Sequence, residues 1–238
     1  MCRSPGPLGL LVVFSLCVTI AQAQSPVDAS FAKGLSPNNL TPKEFVSAAR
    51  NVRKTFYWQK KDLATYVTLT KHLLATAIEN SQVDNRHAEA FSERVLGLGY
   101  DLASMTWPGW DEQGIEISTA FQEVGLAAAR MIVQAGIQYE APAEVQHNNY
   151  WILGAHLLAA GDNAGARKAW RQALALHSHD EGLGMLTWIA LADAMDGRNV
   201  DLLVKHLSKL DAGSEDLKIT ADQIRTARLV FQRETQDK

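Results

Sequence analysis

Residues 150–174 read YWILGAHLLAAGDNAGARKAWRQAL, and their small residues restrict the fold more than any other stretch of the chain. Tyr150, Leu153, Gly154, Leu157 and Leu158 fall at helical spacing on one stripe. Gly161-Asp162-Asn163 then supplies a helix stop, a turn and a new cap. Ala166, Ala169, Trp170, Ala173 and Leu174 form a second stripe with the same spacing. The pattern predicts a helical hairpin with Gly154 and Ala166 at the crossing, where their lack of bulk lets two backbones approach. Tyr150 and Trp170 are expected to fill the space farther out. A glycine inside a helix costs up to ~1 kcal/mol relative to alanine, and close packing is the expected compensation.

Helix signals dominate the rest of the chain. Thr41-Pro42-Lys43-Glu44 combines a cap, a proline at the first helical position and a glutamate able to reach back to the cap amide. Its helix is expected to run to about Tyr57. Further helices are expected at roughly 61–79, 86–105, 113–135 (interrupted near Gly125), 144–160, 163–177, 182–196, 199–211 and 216–234. Gly136 to Pro142 reads as a loop. Period-two runs of β-branched residues are absent, so no strand is expected. The fold class is all-α, with about nine helices.

Tyr150, Leu153-Gly154, Leu157, Gly161, Ala166, Trp170 and Ala173 match the tetratricopeptide-repeat pattern in order and spacing, and residues 145–210 resemble that family. The proline usual at the end of the repeat is missing, and Ser178 stands near its place. Leu186, Ile189-Ala190 and Gly197 echo the frame one unit later, with Gly197 lying 36 positions after Gly161. Leu96-Gly97 with Tyr100 carries a weaker echo upstream. The resemblance implies a short α-solenoid of antiparallel hairpins, because one hairpin cannot bury its own stripe and a stack can. The alternative is an irregular helical bundle with one accidental repeat.

The N-terminus reads as a targeting segment. Arg3 supplies a positive charge, Leu8 to Ile20 an apolar run, and Ala21-Gln22-Ala23 a cleavage site, so residues 1–23 are expected to be a signal peptide and Gln24 the mature N-terminus. An uncleaved anchor is the alternative, although the run is short for a bilayer span. Residues 24–40, rich in Ser, Pro, Asn and Gly, read as a linker, and 41–238 as the helical-repeat domain. Both cysteines, Cys2 and Cys17, lie inside the targeting segment. A mature chain without thiols has no disulfide, zinc-thiolate site or cysteine nucleophile. Leu16 before Cys17 argues against lipidation there. These features point to a periplasmic or secreted bacterial protein, with no membrane span after cleavage. A net charge of −3 points away from nucleic acid.

Candidate chemistry is sparse. In the resembling family the first helix of each hairpin lines a concave groove, which implies a partner-binding face carrying Asn148, Trp151, Ala155 and Ala159. The equivalent face one unit earlier carries Phe91, Arg94, Leu98 and Asp101. Asn148 and Arg94 suit a peptide backbone or carboxylate, and Trp151 suits an apolar anchor. The competing reading packs Trp151 against the next repeat and pairs Arg94 with Asp101 at the surface. Trp107 and Trp110, around Pro108-Gly109, either seal helix ends or present a platform for sugar rings. His177 to Glu181 holds metal-capable side chains at a helix end, without the three- or four-residue spacing of helical ligands, so no metal site is expected. His156 has no acidic partner at helical spacing and reads as a core histidine. Arg50, Arg53, Lys54, Lys60 and Lys61 surround Phe56-Tyr57-Trp58, as a solvated helix end or a site for a polyanionic cell-wall partner. No phosphate loop, His-Glu-X-X-His or Gly-X-Ser-X-Gly motif is present. The expectation is a noncatalytic protein without cofactor that binds a protein or peptide, with a glycan as the alternative ligand.

Overall fold

The computed structural model describes residues 41–82, 87–176 and 182–236. The targeting segment, the linker and the His177–Glu181 group lie outside the described residues. Nine α-helices are present among those described: α1 (Pro42–Val52), α2 (Leu63–Gln82), α3 (Ala88–Met105), α4 (Thr119–Gln138), α5 (Ala143–Ala159), α6 (Asn163–Ala175), α7 (Gly182–Met195), α8 (Val200–Asp211) and α9 (Glu215–Gln236). A π-helical segment, Arg53–Gln59, continues α1, and a 3-10 turn, Pro108–Trp110, follows α3. No strand occurs among the described residues. The chain divides into two compact units, one ending at Leu102 and the other beginning at Ala103.

In the first unit, Thr41 caps α1 as its sequence predicts. The Glu44 amide donates to the Thr41 hydroxyl and the Glu44 carboxylate accepts from the Thr41 amide at 2.9 Å. That pair of bonds with Thr41 holds the Glu44 carboxyl below its usual range. The Phe45 ring meets Phe91 edge-on at 5.6 Å, which ties α1 to α3. Beyond Val52 the helix widens, and Lys60 N–H reaches the Thr55 carbonyl five residues back. The wider turn buries both Phe56 and Tyr57 and leaves Trp58 outside. Arg53 on this segment pairs with Asp101 of α3 at 2.7 Å.

The second unit begins with the last turn of α3. From α4 to α9 each helix packs against the next in sequence, and α9 also packs on α7 and on the 3-10 turn. Gly161 turns the chain between α5 and α6 at φ +79°, and Gly197 follows α7 at φ +72°, a region open to glycine at little cost. Asp162, next to Gly161, caps α6 by accepting from the Gly165 amide at 2.8 Å. Asn163 turns instead to Asp196, at 2.6 Å. Arg167 joins the same carboxylate at 2.6 Å and Asp193 at 3.3 Å, which links α6 to α7. The Asn163 and Arg167 bonds hold the Asp196 carboxyl down to about 2.

The crossing between α5 and α6 is tighter than expected. A Cβ on Gly154 would lie 2.6 Å from Cδ1 of Trp170. The indole therefore rests directly on the glycine instead of filling space farther out. α4 also departs from the reading. It starts at Thr119, six residues later than expected, and Gly125 does not interrupt it. Gly125 faces Thr106 and His156, where a Cβ would clash with both side chains. The glycine marks a close contact inside a continuous helix. No described helix is long and apolar enough to cross a membrane.

Candidate functional site

The residues expected to line a groove divide between the two units. In the first, Arg94 and Asp101 do not pair with each other. Arg94 reaches its neighbour Glu93 at 3.1 Å, and Asp101 is held by Arg53. Burial raises the Asp101 carboxyl above its usual range, and the Arg53 guanidinium opposes that rise.

In the second unit, α5 carries Asn148, Trp151 and Ala155. Asn148 is exposed, Trp151 is half-buried and Ala155 is fully buried. What covers Ala155 is the chain itself. The Trp107 indole N–H donates to the Ala155 carbonyl at 2.9 Å. That carbonyl has a second lone pair to spare beyond its helical bond. Trp107 is 0% exposed, so it is not the open aromatic platform considered from sequence. Trp110 is half-buried, and its indole N–H donates to the Ser104 carbonyl at 2.8 Å.

These rings form one cluster. Trp107 lies 4.9 Å from Trp110, 6.0 Å from Trp151, 5.9 Å from Trp188 and 6.2 Å from Phe231, centroid to centroid. Trp170 joins through Trp188 at 5.5 Å, and its indole N–H donates to the Trp151 carbonyl at 3.0 Å. Five of the six tryptophans thus gather between α5, α6, α7, α9 and the 3-10 turn. Edge-on pairs of this kind contribute about 0.5–1.5 kcal/mol each beyond their buried area. The proposed groove face of α5 is therefore occupied near Trp151 and Ala155, with Asn148 exposed and Ala159 half-buried at its ends.

Of the polar side chains that hold α5 in place, sequence reasoning singled out only His156, read as a core histidine, and missed His147 and Asn149. His147 bonds the Ala173 carbonyl at 3.0 Å, and Asn149 donates to Ile132 at 3.1 Å. His156 bonds Ala103 at 2.8 Å. All three side chains are buried. A carbonyl only accepts, so the His156 proton sits on Nε2, which leaves the buried Nδ1 without a partner. Burial pulls the imidazole down to about 4, against the opposing Ala103 bond. The three polar groups satisfy carbonyls of α4, α6 and the end of α3. The signal of His147 and Asn149 in the sequence is polar residues at positions facing apolar neighbours, which reads ambiguously as groove or core.

Among the described residues no group of three or more His, Cys, Asp or Glu is gathered as a metal ion requires. Two of the basic residues near Phe56-Tyr57-Trp58 stand over its rings on the first unit. Lys60 lies over the Phe56 ring at 4.8 Å and Lys61 over Trp58 at 5.5 Å. Fold and side chains together define an all-α protein whose second unit is built around an aromatic cluster. No family model, no curated protein and no solved structure matches the chain.

Proposed function

We propose that the chain is an exported, noncatalytic helical-repeat protein of tetratricopeptide-like build that binds a protein or peptide partner in the bacterial cell envelope. Two features support the repeat. The α5–α6 crossing is closed by a small residue against an aromatic, and the left-handed glycine turn recurs at Gly161 and Gly197. The observation that carries partner binding is the exposure of large apolar side chains on the last two helices. Val200 and Val204, one turn apart on α8, are 40% and 52% exposed, and Ile219 and Leu229 on α9 are 50% and 55% exposed. A stacked repeat needs a polar outer face on its terminal helices to stay soluble. Apolar residues there favour a surface that a partner covers. This moves the proposed contact from the Trp151–Ala155 face, which Trp107 fills, to α8 and α9.

A photoreactive residue at position 204, with position 148 as the comparison, tests this in envelope preparations. A discrete crosslinked product from 204, abolished when Val200→Glu is added to the same chain with unchanged ellipticity, is the expected result. Product from 148 alone returns the contact to the α5 face, and product from neither overturns the reading. Export is tested separately by N-terminal sequencing of the protein in the envelope fraction, which should begin at Gln24.

A further inference from the structure

Trp58 is 47% exposed, whereas Trp107, Trp170 and Trp188 are buried and Trp110 and Trp151 half-buried. It is also held in place. The Tyr57 ring meets it edge-on at 4.8 Å, and the Lys61 ammonium stands 5.5 Å from its centroid. The π-helical widening turns Phe56 and Tyr57 inward and sends Trp58 out. Residues 45–61 contain Arg50, Arg53, Lys54, Lys60 and Lys61 and no acidic residue. Asp101 neutralises Arg53. Arg50, Lys54 and Lys60 are exposed and make no ion pair among the described residues. The acids flanking the segment are turned to helix caps: Glu44 to Thr41, and Asp62 to the Thr65 amide at 3.0 Å. The helix face that runs Arg50, Lys54, Trp58 therefore carries uncompensated positive charge around one projecting indole.

We propose that this face docks onto an anionic lipid bilayer surface, with Trp58 seated at the headgroup level and Arg50 and Lys54 on lipid phosphates. An indole with one apolar and one polar edge suits the membrane–water interface. Each nearby cation strengthens attraction to an anionic leaflet about fivefold. A single-stranded nucleic acid is a poorer fit, because it uses several exposed rings to stack successive bases. Here the two neighbouring rings are buried.

The test uses the full chain and vesicles of phosphatidylcholine, with and without phosphatidylglycerol, read by co-sedimentation. Every variant shares the same Arg3 and Leu8–Ile20 run, so the change in the ratio between variant and unmodified chain isolates the face. The expected result is partition that favours the anionic vesicles and weakens as sodium chloride is added. Arg50→Ala/Lys54→Ala should lower that preference by about 25-fold, at fivefold per cation. The difference in emission between the unmodified chain and Trp58→Phe isolates Trp58, which should shift to the blue on anionic vesicles alone. Equal partition onto both vesicle types, insensitivity to salt, or an unchanged ratio in the double variant overturns the proposal. So does full competition by a soluble polyanion without a blue shift, which assigns the face to that polyanion instead. The Trp58→Phe emission difference, read at an exposed ring, keeps the test decisive should the double variant fail to fold.

Discussion

Replacing Gly154 by alanine tests the packing argument most sharply, because helix propensity and tertiary packing predict opposite signs. On propensity alone, alanine in the middle of α5 gains about 1 kcal/mol. The new Cβ, however, would sit 2.6 Å from Cδ1 of Trp170, about 1 Å inside normal carbon contact. Trp170 is 0% exposed and has no room to swing away. Its N–H bond to Trp151, at 3.0 Å, stretches or breaks when the ring shifts. Overpacking of this kind costs roughly 1–3 kcal/mol, and the strained hydrogen bond adds about 1 kcal/mol. Subtracting the propensity gain leaves a net loss of about 2 kcal/mol. Gly97 is the internal control. It lies exposed in the middle of α3, and a Cβ there meets nothing within 4 Å. Gly97→Ala should therefore stabilise by up to about 1 kcal/mol. Urea unfolding followed by tryptophan emission reports the second unit, which holds five of the six tryptophans. Far-UV ellipticity reports both units. Gly154→Ala should move the emission midpoint down by about 1 M, taking a slope near 2 kcal/mol per molar urea. A Gly154→Ala protein as stable as the parent refutes the contact between Gly154 and Trp170 as the reason for the glycine.

Three further outcomes follow from named contacts. Trp107→Ala removes the ring that touches Trp110, Trp151, Trp188 and Phe231 and should cost about 4 kcal/mol, with loss of near-UV ellipticity as the check. His156 is held neutral in the fold, down to about 4 from 6.5, while the unfolded chain takes up its proton as pH falls through 6.5. Stability should therefore decline from about pH 6.5 and be lower by about 3 kcal/mol near pH 4. His156→Gln should flatten that slope in urea titrations across this window, and an unchanged slope assigns the acid sensitivity elsewhere. Thr41→Ala removes the side-chain cap of α1 and should cost about 1 kcal/mol, seen in far-UV ellipticity and not in the tryptophan cluster.

Much of the local structure was legible in the chain. The cap at Thr41, the turn at Gly161 and the onset of α6 and α7 each depend on residues a few positions apart, and the structure places them as read. The start of α4 was not legible. Residues 113–118 carry no breaker after Gly114, and Asp111 at φ 50° redirects the chain where a non-glycine residue gives little warning. The π-helical widening after Val52 was equally hidden, because it continues the helix without any turn residue. What covers the face of α5 was not legible either. Asn148 is exposed, and Ala155 is sealed by Trp107, which lies 48 positions earlier.

Helix number, caps and hairpin turns were determined by the chain's own order, because hydrogen bonds to the nearest turn and allowed φ values leave a short-range mark. The fate of each tryptophan was decided only in three dimensions. Trp58 and Trp107 both stand within three residues of another aromatic in sequence, yet one projects from the surface and the other is the centre of the core. The return of α9 to the 3-10 turn, which brings Phe231 to Trp107, likewise has no local signature. Burial depends on which distant surface arrives to exclude water, and no periodicity within a single helix encodes that arrival.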